Sequence, residues 1–210
     1  MSKQAPRIES VAGGVNTWIV GNDDEVVVID PGTDAAEVLK AVGEREIMVV
    51  VCTHGHAAHV GAAVEVAERD DAEVALHPFD RQRWREVHDV DPDIDMEEGG
   101  SFTVAGATFE VIHAPGHSKG SVILYCEDLG AAFTGDVIGE TGPVPYEDDF
   151  PNWGRQLDAI GSEVLTLPAD TRLLSGHGGE ITVAEADKRF NNWVTAGQDR
   201  PVRVDPDELD

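Results

Sequence analysis

Cysteine is nearly absent: Cys52 and Cys126 are the only two in 210 residues, and each sits inside an apolar, strand-like run. That is the setting of an inert buried thiol, and it excludes a disulfide framework. Positive charge is scarce too. Four lysines are part of only 15 basic residues, against 41 acidic ones, for a net charge of -26. With no cluster of lysine and arginine, nucleic acid and anionic membrane surfaces are disfavoured as partners. A solvated acidic surface suited to high salt accounts for the excess carboxylates. The first ten residues hold no apolar run and no uninterrupted apolar stretch approaches about 20 residues, so neither a secretory signal nor a membrane span is expected, and the cytoplasm is the expected location. Length and a 41% hydrophobic fraction suit one domain over residues 1–204, followed by an acidic, disordered tail over 205–210. Nothing in the sequence fixes an oligomeric state.

What the chain does have is histidine in one place. His54, His56 and His59 fall within six positions, between an apolar run and a helical pattern. Three imidazoles so close have few inexpensive ways to be buried without a metal. A His-rich surface loop, or core histidines satisfied by backbone carbonyls, is the alternative. Further along, Pro115-Gly116-His117, Thr134-Gly135-Asp136 and Gly176-His177-Gly178 each place one more ligand type where an apolar run meets a glycine. Loops leaving strands are where a rigid scaffold aims side chains, and glycine lets such loops turn sharply.

Periodicity organises the rest. Residues 16–20 and 25–29 read as a hairpin, 34–42 as a helix capped by Gly43, and 47–52 as a strand buried on both faces that delivers the histidine loop. A helix opens at His59, residues 73–76 form a strand, and 80–87 look helical. Strands follow over 101–104, 108–113, 122–126, 131–134 and 172–175, with helices over 153–160 and 184–194. His77 and His88 read as structural or exposed, and His113 as core rather than ligand. The pattern alone gives α/β or α+β.

The order His54, His56, His59, His117, Asp136, His177, with the strand ending Asp30-Pro31-Gly32, resembles the metallo-β-lactamase superfamily and, within it, the glyoxalase-II-like hydrolases. The resemblance implies a four-layer αββα sandwich with metals at the sheet edge. It implies a first site from His54, His56 and His117, with Asp136 bridging to a second held by His59, His177 and a loop aspartate. This chain has Ala58 at the aspartate position, so second-metal binding is expected to be weaker. Asp30 would brace the metal loops from behind. Zinc, one ion or two, is the implied cofactor; iron suits the same ligands.

The implied activity is hydrolysis by a metal-bound hydroxide of a thioester or related ester or lactone in a small-molecule substrate, slowed by Ala58. The alternatives are a mononuclear iron persulfide dioxygenase, whose arginine-rich stretch after the bridging aspartate is missing from residues 137–142, and a metal-binding protein with little turnover. The loop over 137–152 would line the mouth, with Tyr146 either contacting substrate or merely packing. Its acidity argues against a nucleotide. Only 33 residues follow His177, short of the family's thiol-conjugate-binding helical part, so a different substrate is expected.

Overall fold

The computed structural model describes residues 4–145 and 152–197. Tyr146 and the tail over 205–210 lie outside them. The β-branched runs of the first half become β1 (Arg7–Ala12), β2 (Asn16–Gly21), β3 (Glu25–Ile29), β4 (Glu46–Val51), β5 (Glu73–Leu76) and β6 (Ile94–Asp95), side by side in that order. β1 to β3 pair antiparallel and β3 to β6 parallel. The second half forms β7 (Ser101–Val104), β8 (Ala107–His113), β9 (Val122–Cys126), β10 (Ala131–Gly135), β11 (Arg172–Ser175) and β12 (Ile181–Thr182). These make a second six-stranded sheet, in which β10 and β11 are parallel and the other neighbours antiparallel.

Apolar side chains segregate into three layers of core. Between the sheets, Val27, Ile29 and Val51 meet Phe109, Leu124 and Phe133. On the outer face of the first sheet, α1 (Ala35–Val42) and α3 (Ala63–Glu68) set Val38, Val42 and Val66 against Val26, Val28 and Val50. On the outer face of the second, α6 (Val183–Gly197) and the turn after α5 (Trp153–Ala159) set Ala186 and Ile160 against Ile123 and Leu173. The expected αββα sandwich is therefore present. Each large apolar side chain sealed in it contributes about 1.5–3 kcal/mol from burial. Among the described residues no helix is long and apolar enough to cross a membrane.

Three local expectations need correcting. The strand read as buried on both faces carries a bulge: Val26 pairs with Ile47 but Val27 with Val49, so Met48 is an extra residue and is 44% exposed. A bulge breaks the two-residue alternation on which the reading of a doubly buried strand rests. The helix expected to open at His59 begins two residues earlier as α2 (Ala57–Val60) and restarts as α3 beyond Gly61 and Ala62. The helix expected over 80–87 is one turn, α4 (Arg81–Trp84), preceded by a tighter turn over Pro78–Asp80. The strands β1, β6 and β12 lie at sheet ends, and β6 and β12 have two residues each, too few for a period to be read.

Candidate metal centre

Strand polarity brings the histidines together. β3, β4 and β5 are parallel, as are β10 and β11, and β8 runs the same way as β10 through the antiparallel β9 between them. The carboxyl ends of these strands deliver Asp30, the His54–His59 loop, Asp80, Asp136, His177 and His117. Main-chain bonds tie the two sheets at this edge, from Val122 N to Thr53 O at 2.9 Å and from Asn16 N to Gly176 O at 2.7 Å.

Four imidazoles gather around one oxygen, and a fifth stands against one of the four. Asp136 Oδ2 lies 3.3 Å from His59 Nε2, 3.3 Å from His177 Nε2, 3.5 Å from His117 Nε2 and 3.9 Å from His54 Nε2. His56 Nδ1 is 3.1 Å from His117 Nε2. Two atoms bound tetrahedrally to a common zinc at about 2.1 Å stand roughly 3.4 Å apart, so these spacings suit a shared cation. His54 Nε2, His59 Nε2 and Asp136 Oδ1 are buried and make no hydrogen bond of normal geometry. Buried polar atoms facing one another without partners are costly, and a dication resolves all of them at once. The residues therefore fit a divalent metal. Three groupings of possible ligand atoms share the cluster: His54, His56 and His117; His59, Asp136 and His177; and Asp30, His54 and His59, in which Asp30 already accepts from Thr53.

Hydrogen bonds behind the rings fix which nitrogen faces inward. Thr53 Oγ1 gives its proton to Asp30 Oδ2 at 2.7 Å, so His54 Nδ1, 3.1 Å away, must donate to it, leaving the Nε2 lone pair toward Asp136. His117 Nδ1 donates to Val144 O at 3.0 Å with the same result. His59 Nδ1 faces Asp30 Oδ2 at 3.1 Å. Such bonds orient a ligating histidine and raise its basicity. Asp30 accepts from Thr53 N at 2.7 Å as well, which ties it to the start of the histidine loop. It sits at φ +51, a region that costs a non-glycine residue about 1–3 kcal/mol.

Electrostatics divides the cluster. Burial, reinforced by neighbouring imidazoles, pushes His54 far down and His56 down to about 2. Burial also opposes a charge on His59, but the carboxylates of Asp30 and Asp136 outweigh it and push this ring up to about 10. Burial raises Asp136, yet His177 and His59 together hold it well below the usual carboxylate range. A metal ligand must be deprotonated, so a cation at this cluster would compete with a proton on His59.

Every residue expected as a ligand reaches the cluster. His113 does not: its Nε2 bonds Lys119 O at 2.8 Å and its ring stacks on buried His77 at 4.2 Å. His88 bonds Val60 O at 2.9 Å. Ala58 is exposed on the loop and contributes no ligand. Sequence reasoning gave Asp80 no role beyond opening a helix, yet its carboxylate accepts from Gly55 N, Ser118 Oγ and Gly120 N. The signal was there, an acid four residues after an apolar strand, as common in surface turns as in sites.

Known proteins resemble this chain over most of its length. The chain is 30% identical over 183 residues to the probable metallo-hydrolase YqgX of Bacillus subtilis (80% of this chain, 87% of that one). It is 28% identical over 200 residues to the hydroxyacylglutathione hydrolase GloC of Haemophilus influenzae (86% and 93%). The crystal structure of the BLEG-1 B3 metallo-beta-lactamase superposes with a TM-score of 0.78 at 26% identity, covering 86% of this chain and 95% of that one. The metallo-beta-lactamase superfamily profile matches residues 11–177, most of the chain, and the chain belongs to that superfamily.

Proposed function

We propose that this chain is a metal-dependent hydrolase acting on a thioester, or a related ester or lactone, of a small molecule. The observation that carries the reading is the meeting of four imidazoles around Asp136 Oδ2, with His56 against His117, at the edge where the strands end. A dication held there lowers the pKa of a bound water toward about 7 and polarises a carbonyl oxygen. His54, His56 and His117 would hold it on one side, and His59 and His177 would hold a second on the other, with Asp136 shared. Zinc suits this imidazole-rich set, and iron suits it also.

The protein's own groups supply orientation and proton control. Thr53, Asp30 and Val144 keep the ligating nitrogens of His54, His59 and His117 aimed inward. Asp136, held ionised by His177 and His59, would offer a carboxylate oxygen to the cation and a hydrogen-bond acceptor to water beside it. Ala58 leaves the loop without a carboxylate to orient that water, which favours a substrate needing little help. A thiolate, whose parent thiol titrates near about 8.5, leaves without a general acid; an alkoxide does not. The reading keeps a cytoplasmic location and a single domain over residues 1–204.

Ala58 also favours a second reading, a single-metal centre that is either an iron dioxygenase of persulfides or a binding protein with little turnover. Metal analysis of the purified protein beside a panel of acyl-thioesters and lactones separates the three. Zinc with thioester or lactone turnover supports the hydrolase. One iron with oxygen uptake overturns it in favour of the dioxygenase, and a bound metal without turnover in favour of the binding protein.

A further inference from the structure

Asp80 stands between the two loops that carry His56 and His117, and it is 1% exposed. Its Oδ2 accepts from Gly55 N and from Ser118 Oγ, both at 2.7 Å, and its Oδ1 accepts from Gly120 N at 2.8 Å. One carboxylate therefore joins the residue between His54 and His56 to the residues just after His117. The fit is close: a Cβ at Gly55 would stand 2.8 Å from Asp80 O, and one at Gly120 2.8 Å from Asp80 Cγ. Glycine is required where each loop presses on this residue.

Its three donors are uncharged. They are two main-chain N–H groups and a hydroxyl, whereas Asp30 also faces the His59 ring. Taking an anion out of water costs several kcal/mol, and hydrogen bonds offset part of that cost. A cation among His54, His56 and His117, just across the two loops, would offset the remainder.

We propose that Asp80 is the positioning residue and counter-charge of the His54–His56–His117 half of the centre, setting the spacing of its two loops and the affinity of that half for a divalent cation. The inference rests on the reading of the cluster as a metal centre. Asp80 bonds neither the His59 loop segment nor the His177 loop, so its influence is confined to one half.

The test uses the full chain, with zinc and cobalt binding measured by chelator competition in wild type, Asp80→Asn, Ser118→Ala and His177→Ala. In Asp80→Asn an amide replaces an oxygen that faces donors. The equivalent that survives in His177→Ala should weaken about 10–100-fold, the scale for losing a group behind a ligand, with a shifted cobalt absorption spectrum. The equivalent lost in His177→Ala should stay within about 3-fold. Ser118→Ala removes one donor, keeps the charge, and should weaken the same equivalent by about 3-fold; it serves if Asp80→Asn does not fold. In chelator-treated protein, Gly55 and Gly120 amides should exchange faster in Asp80→Asn. Uniform weakening of both equivalents, unchanged affinity beside a lower melting temperature, or unchanged exchange at both amides would overturn the proposal. A wild-type chain that takes up no cation would instead sink the metal reading beneath it.

Discussion

The two halves of the centre share Asp136 but differ in enclosure. His54, His56 and His117 are all buried and are backed by the Asp80 clamp, whereas the side chain of His177 is 41% exposed and Ala58 is open to solvent. In the closed half the effective dielectric is low, so each ligand and each hydrogen bond behind it counts for more. In the other, more open half water reaches His177, although His59 is as buried as His54, and a carboxylate that could offset cationic charge is missing. One cluster thus holds a tight half and a loose half, and cation affinity should follow that order.

The change with the largest expected effect removes the shared oxygen's charge. Asp136→Asn should empty both halves, with metal content by elemental analysis falling close to zero and hydrolysis to background. Retention of one full equivalent would show that the halves do not depend on a common anion. Next, His117→Ala should weaken the tighter equivalent by more than about 100-fold, exceeding the loss of a group behind a ligand. His177→Ala should cost only the looser one, and titrations in which both variants lose the same equivalent would erase the distinction. Smaller is the gain from Ala58→Asp, expected to tighten the looser equivalent by at least about 10-fold and to raise turnover. No change in either quantity would mean that the open half does not lack a carboxylate in any useful sense.

The smallest effect concerns pH and lies beside the closed half. Burial, with His113 stacked on it, pushes His77 down to about 4, against the opposing pull of Asp80 and Asp95. The unfolded ring titrates near 6.5, so on acidification the unfolded state takes up this proton first. The folded protein therefore keeps its full stability above about 6.5, loses it as pH falls toward 4, and levels off below. The loss is on the order of 1–2 kcal/mol once partial screening is allowed for. His77→Phe keeps a ring against His113 and should remove this residue's share of the slope, leaving the part due to His54 and His56. Urea unfolding of chelated wild type and variant at pH 7.5 and 4.5 measures it, and equal slopes would discard the assignment.

Much of the centre was legible in the chain because its ligands are chemically scarce. Eight histidines in 210 residues stand out, and five of them at or near strand ends, four of these beside glycine, leave few other uses. Asp30 was legible for the same reason, ending a β-branched run. Asp80 was not: among 41 acidic residues, one more carboxylate has no distinguishing context until its three donors are seen. Met48 escaped because a bulge depends on the register with β3, which is a relation between strands rather than a property of either. The two-residue strands β6 and β12 exist only because a longer neighbour offers a free edge.

By itself the sequence determined the elements that carry a period, the absence of a membrane-crossing helix, and the identities and order of the ligand side chains. Tertiary structure alone decided that strands running in one direction end at one edge, so that rings up to 123 positions apart, His54 and His177, come to face a common oxygen. It also decided which nitrogen of each ring points inward and which acid stands behind. Those are questions of relative position, and hydrogen bonds reaching across two sheets answer them only once both sheets have packed.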